Sequence, residues 1–143
     1  MWKYALLTIL SCLLITSCAK QAVSASSTVS VPQLINTPPA YLQALATGQL
    51  ALANGCLRLN VIDEISILLI WQPSFSARTE QGITQVVDNT GQVVASVGDY
   101  VEMSGGFSDD PTGIGLKEPL PKDCPGPYWL IGDEIRKIEK PYP

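Results

Sequence analysis

Histidine is absent from the 143 residues. With it go the Ser-His-Asp and Cys-His nucleophile systems, the His-containing zinc sites and imidazole acid/base chemistry, because each needs a ring nitrogen that titrates near neutrality. Phenylalanine occurs only twice, and eleven prolines and eleven glycines interrupt any long amphipathic repeat. That excludes a helical bundle and favours a turn-rich, strand-rich fold. Charge is scarce as well, at 15% of residues. Downstream of Cys18, eight basic residues face thirteen acidic ones, without a basic stripe, so nucleic acid is not an expected partner. What is present is 46% hydrophobic side chains in a chain of single-domain length, enough for one core.

The longest apolar run, Tyr4 to Ile15, is interrupted only by Thr8, Ser11 and Cys12 and is preceded by one positive charge, Lys3. Such a run is shorter than the ~20 residues of a membrane-spanning helix, and residues 1–17 read as a signal peptide. The run ends in Ile15-Thr16-Ser17-Cys18, which resembles the bacterial lipobox. The resemblance implies that Cys18 receives diacylglycerol, with palmitate-type chains, and becomes the first mature residue. Ile9-Leu10-Ser11-Cys12 fits less well, since bulky Leu10 stands where a small residue is wanted. Each buried methylene contributes about 0.8 kcal/mol, so a multiply acylated cysteine is a lasting anchor. Ala19 in place of aspartate implies, for this class, export to the periplasmic face of the outer membrane in a Gram-negative cell. An ordinary secreted protein, or a buried N-terminal helix, is the alternative.

Residues 18–36 read as a lipidated flexible tether, because 19–32 are dominated by small and hydroxylated side chains,. A single domain is expected over 37–140. It opens with a two-turn helix over Thr37–Gly48, where an N-cap candidate and prolines precede Tyr41, Leu42 and Leu45 and Gly48 closes the segment,. Strand periodicity follows. Gln49–Ala53 and Cys56–Val61 flank Asn54-Gly55, a hairpin signal. Ile65–Trp71 is apolar on both faces and reads as a doubly covered central strand. Ile83–Asp88 and Gln92–Val97 surround Asn89-Thr90-Gly91, Gly98-Asp99 turns the chain into Tyr100–Ser104, and Tyr128–Ile135 supplies the last strand. Gly105–Pro127 reads as an irregular surface loop. The fold expected is mainly β, a small OB-like β-barrel, with a β-sandwich as the alternative.

With Cys12 removed and Cys18 acylated, Cys56 and Cys124 remain and are expected to pair outside the cytoplasm. Closing a loop of about 70 residues contributes roughly 4 kcal/mol in the chain-entropy picture. A free thiol or half a metal site are the alternatives, though two cysteines without histidine do not complete a zinc shell. Ser108-Asp109-Asp110-Pro111-Thr112-Gly113 offers hard oxygen ligands of the kind calcium accepts, but its spacing fails the EF-hand template and its dipeptides are turn formers. Asp63-Glu64 and Asp133-Glu134 are adjacent carboxylates that strand geometry sends to opposite faces, so neither forms an acid/base pair alone. Ser104-Gly105-Gly106-Phe107 lacks the ending of a phosphate loop. Trp71, Phe75, Tyr128 and Trp129 form either a ligand platform or core. Neither a cofactor nor a resident metal is expected.

The set Gly55-Cys56-Leu57-Arg58-Leu59, Ile70-Trp71-Gln72-Pro73-Ser74-Phe75, Val97-Gly98-Asp99, Ser104-Gly105-Gly106 and Cys124-Pro125-Gly126-Pro127-Tyr128-Trp129 resembles a group of small secreted bacterial proteins and lipoproteins. The resemblance covers Gly48 to about Ile135 and implies the domain limits and the Cys56–Cys124 bridge, with no chemistry attached. The function expected is a lipid-anchored, non-catalytic binding or accessory module of the cell envelope, with an envelope protein or glycan as partner. Asp109, Asp110, Tyr128 and Trp129 form its candidate ligand loop. The alternatives are a hydrolase using Asp99, Asp109 and Asp110, or a purely structural surface lipoprotein.

Overall fold

A computed structural model describes residues 29–37, 43–61 and 65–141. The signal peptide, Cys18 and the Asp63-Glu64 pair lie outside the described residues. Eight strands follow in chain order, β1 (Ala44–Ala53), β2 (Cys56–Asn60), β3 (Ser66–Ile70), β4 (Ser76–Glu80), β5 (Ile83–Val87), β6 (Val93–Ser96), β7 (Tyr100–Ser108) and β8 (Tyr128–Ile138), with one 3-10 turn at Pro111–Ile114. The described chain is therefore mainly β, as composition and turn signals imply.

The strands form two sheets. In the larger, the order is β1-β2-β3-β8-β7, and β7 pairs again with β1, so the sequence of pairings closes on itself. All of its neighbours are antiparallel except β3 and β8, which run parallel over Leu68↔Tyr128 to Ile70↔Leu130. The smaller sheet has the order β4-β5-β6. Alternation along each strand sends Leu57, Leu59, Ile67, Leu69, Val101, Met103, Trp129 and Ile131 to one shared core,. The opposite faces of β2 and β3 present Cys56, Leu68 and Ile70 to a second cluster with Leu34, Cys124 and Leu130. This explains why β3 is apolar on both faces: each face has its own cover.

The helix expected over Thr37–Gly48 is corrected from Ala44 onward, where β1 pairs with β7 from Ala44↔Gly105 to Gln49↔Tyr100; residues 38–42 lie outside the described residues. Ala, Leu and Gln favour helix locally, but Ala46 and Leu50 bury on one face of a two-residue repeat, and long-range pairing overrides a propensity of tenths of a kcal/mol per residue. A second correction concerns Gly105–Pro127, because β7 runs on to Ser108. Gly105 sits at positive φ where β7 shifts register against β8. Any side chain there would meet the Leu130 carbonyl and the Trp129 indole, so this glycine serves close packing within a strand. β4 went unread because its residues, Ser-Ala-Arg-Thr-Glu, are mostly polar and exposed.

The described part of the expected tether belongs to the folded body. Ser30 N–H donates to the Gly55 carbonyl (2.7 Å), Trp71 N–H to Pro32 (2.8 Å), Leu34 N–H to Trp71 (2.8 Å) and Ile35 N–H to Gly115 (2.9 Å). Leu34 is 2% exposed. The alternation of Val29, Val31 and Gln33 with Pro32 and Leu34 is a strand pattern that the hydroxyl-rich composition masks. Replacing Leu34 by Ala should cost about 2–5 kcal/mol through lost contacts and an unfilled space. Urea unfolding of the variant checks this; a midpoint equal to that of the parent chain would return the segment to the status of a tether.

Candidate binding site

The N-terminal segment forms one wall of a cavity of about 580 Å³, together with Asn54 in the β1–β2 turn, Ser76 and Ala77 at the start of β4, and the loop from Lys117 to Cys124. Each wall has a separate cause. Asn54 and Gly55 adopt positive φ (52° and 78°) and close the hairpin, leaving the Gly55 carbonyl to receive Ser30. The loop is held at its start by Lys117 N–H donating to the Gln33 carbonyl at 2.8 Å. Its far end is held by the Cys56–Cys124 disulfide, with Cα atoms 5.9 Å apart. The bridge expected from the cysteine count is thus present, with both cysteines buried.

A third restraint is Arg58, which sequence reading passed over as one residue of an apolar strand. It is only 8% exposed. Its Nε donates to Ser66 Oγ (2.8 Å), one terminal nitrogen to the Ser66 carbonyl (2.7 Å) and the other to the Pro125 carbonyl (2.8 Å). Burial lowers its pKa from the ordinary value, against an opposing effect of Tyr128, and the guanidinium fork is satisfied by neutral acceptors. The signal in the sequence was a lone arginine between Leu57 and Leu59.

The lining is mixed. Val29, Val31, Ala77, Pro119 and Pro121 supply apolar surface, Ser30, Gln33, Asn54 and Ser76 supply hydrogen-bonding groups, and Lys117, Glu118 and Asp123 supply charge. The volume lies within the ~300–1,000 Å³ of small-ligand sites. Lys117 Nζ reaches Gln33 Oε1 at 3.4 Å, and the Gln33 amide donates to the Phe75 carbonyl. The N-terminal segment, the loop and the residue preceding β4 are therefore cross-linked around the space.

The candidate residues named from the sequence are placed elsewhere. Asp110 caps the 3-10 turn, accepting from Thr112 N–H (2.9 Å) and Thr112 Oγ1 (2.6 Å). Asp109 is exposed beside it. Trp129 is buried in the main core with the exposed Phe107 edge-on at 4.9 Å, while Tyr128 packs on the second cluster. Trp71 and Phe75 stack edge-on within the core, so these rings do not make a shared platform. The carboxylates considered for hydrolysis do not converge either. Asp99 accepts from Ser96 N–H and pairs with Lys137 Nζ at 2.7 Å, and Asp133 accepts from Gln72 at 3.0 Å. Among the described residues, no group of three Cys, Asp or Glu side chains is placed to hold a metal.

Asp88 repeats the Asp110 arrangement in the β5–β6 turn, accepting from Thr90 Oγ1 (2.6 Å), Thr90 N–H and Gln92 N–H. The threonine hydroxyls, then the backbone N–H groups, hold both carboxyls below the usual carboxylate range. A carboxyl whose folded-state pKa is depressed stabilises the fold above its unfolded value, about 3.9, and loses that contribution as pH falls through the folded value. A variant with Asp88→Ala and Asp110→Ala should therefore be less stable than the parent chain at neutral pH and approach it below about pH 3. Urea midpoints across that range check the sign; a constant difference down to the lowest pH would show that these carboxylates do not act as charged caps.

No protein-family model, no curated protein and no solved structure matches the chain, and the site rests on its own geometry.

Proposed function

We propose that this chain is a lipid-anchored, extracytoplasmic binding or accessory module without catalysis of its own, whose ligand is a segment of an envelope protein or glycan. The cavity carries this reading: its walls are tied by backbone hydrogen bonds and a disulfide, and its lining mixes apolar surface with hydrogen-bonding groups. Such a lining suits an extended polar chain, and among the described residues that form it there is no aromatic ring for stacking. The separate engagements of Asp99 and Asp110 disfavour the hydrolase alternative.

An OB-like barrel is the finer fold reading. With β4–β6 taken as an insertion, the remaining five strands run first-second-third-fifth-fourth around the larger sheet, and the third and fifth are parallel. OB-folds meet oligomeric ligands on the second and third strands and at the loops after the first and fourth strands. Those loops correspond here to the Asn54 turn and the segment containing 117–124. The lipobox-like Ile15-Thr16-Ser17-Cys18 supports the anchor, and in a Gram-negative cell Ala19 supports the outer membrane. Val29 is eleven residues beyond Cys18, which keeps the cavity wall within about 40 Å of the acylated cysteine.

Two measurements test the reading. Cys18→Ala should move the protein from the membrane to the soluble fraction, since no helix among the described residues is long and apolar enough to cross a membrane,. Retention after a high-salt wash would overturn the anchor. A photoreactive residue at Asn54 should form adducts with envelope components, whereas one at exposed Ile83 should not; equal labelling from both positions would overturn the cavity as the site.

A further inference from the structure

β4 is an edge strand. In the order β4-β5-β6 it pairs with β5 alone, and every residue except half-buried Ala77 is exposed. Gln81 and Gly82 both adopt positive φ (51° and 80°), the geometry of a two-residue turn that makes Glu80 and Ile83 the hydrogen-bonded pair beside it. Alternation then leaves Thr79 and Thr84 opposite each other without shared hydrogen bonds. In keeping with this, the Thr84 carbonyl faces the other way and accepts from Val97 N–H at 2.9 Å. The N–H and C=O of Ala77 and Thr79 therefore point out of the sheet, and among the described residues these groups have no backbone partner.

Natural edges of this kind are commonly blunted by charge. β4 instead carries opposite charges two residues apart, Arg78 and Glu80, whose termini lie 3.4 Å apart with side chains 48% and 59% exposed. We propose that two copies of this chain associate through β4, antiparallel about a two-fold axis at Thr79, so that their three-stranded sheets become one sheet of six. On that axis Thr79 meets Thr79 of the second copy as a hydrogen-bonded pair. Arg78 then lies opposite Glu80 of the second copy, and Glu80 opposite its Arg78. These are the close, non-hydrogen-bonded positions, with Cα atoms about 4.5 Å apart, where cross-strand charge pairs act most strongly. The neighbouring registers fail. An axis at Arg78 sets that charge against itself and presents backbone groups already used by β5, and an axis at Ala77 leaves both charges without an opposite. The strand is thus self-complementary in one register, as a two-fold interface requires. The pairing does not depend on the cavity reading, although Ser76 and Ala77 belong to both surfaces.

Cysteine cross-linking of the full chain in detergent solution tests the register. Hydrogen-bonded antiparallel Cα atoms lie about 5.5 Å apart, within the span of a disulfide. Thr79→Cys should yield a disulfide-linked dimer under mild oxidation, beyond any formed by the parent chain. Ile83→Cys, also exposed but off the axis, should give no such disulfide-linked dimer. Adding Glu80→Arg to Thr79→Cys sets two like-charge pairs against each other and should lower cross-linking at least about tenfold. Adding Arg78→Glu as well reverses both pairs and should restore it. Absence of the Thr79→Cys dimer, indifference to Glu80→Arg, failure of the charge-reversed chain to recover, or equal cross-linking at Ile83→Cys would each overturn the proposal.

Discussion

β3 and β8 share three parallel residue pairs, and the architecture depends on this short seam. Parallel strands cannot be joined by a tight turn and need a long crossover. Here the chain between Ile70 and Tyr128 holds the whole of the smaller sheet, β7 and the loop with the disulfide. Two of the cavity walls, the start of β4 and the loop from Lys117 to Cys124, are thus carried within one connection that must be brought back to β3, where they meet the N-terminal segment and the Asn54 turn. Leu68 N–H donating to the Pro127 carbonyl at 2.8 Å extends the seam by one bond. Arg58 and the Cys56–Cys124 bridge fasten the same end of the crossover to β2.

The second hydrophobic cluster follows from that seam. Once β8 lies beside β3, the outward faces of β2 and β3 present Cys56, Leu68 and Ile70, which must be covered or remain in contact with water,. Leu34 from the N-terminal segment and Cys124 from the loop cover them. The cavity lies where these two coverings diverge, between residues 29–33 and 117–124. Its walls are consequently by-products of core burial.

Much of the strand content was legible in the residues. Asn54-Gly55 and Asn89-Thr90-Gly91 marked two hairpins through their tolerance of positive φ, and Ile65–Trp71 marked a strand covered on both sides. The errors share one cause, namely reading local composition where long-range pairing decided. Ala44–Gly48 looked helical but completes a ladder with β7. Ser30–Ile35 looked like tether but is stitched to Trp71, Gly55 and Gly115. Of the candidate loop residues, Asp110 offers a carboxylate, and its own turn consumes that carboxylate. Trp129 offers a ring, and the core consumes the ring.

By itself the sequence determined the class of the fold, the hairpin turns and the chemistry excluded by the absence of histidine, because each of these is set by local stereochemistry or by residue inventory. Only the tertiary structure decided which strands are neighbours, that β3 and β8 run parallel, that Arg58 is buried as a strut, and where a cavity remains. Those outcomes depend on contacts between segments tens of residues apart, such as Leu34 with Trp71 and Arg58 with Pro125. No periodicity within a single segment encodes them.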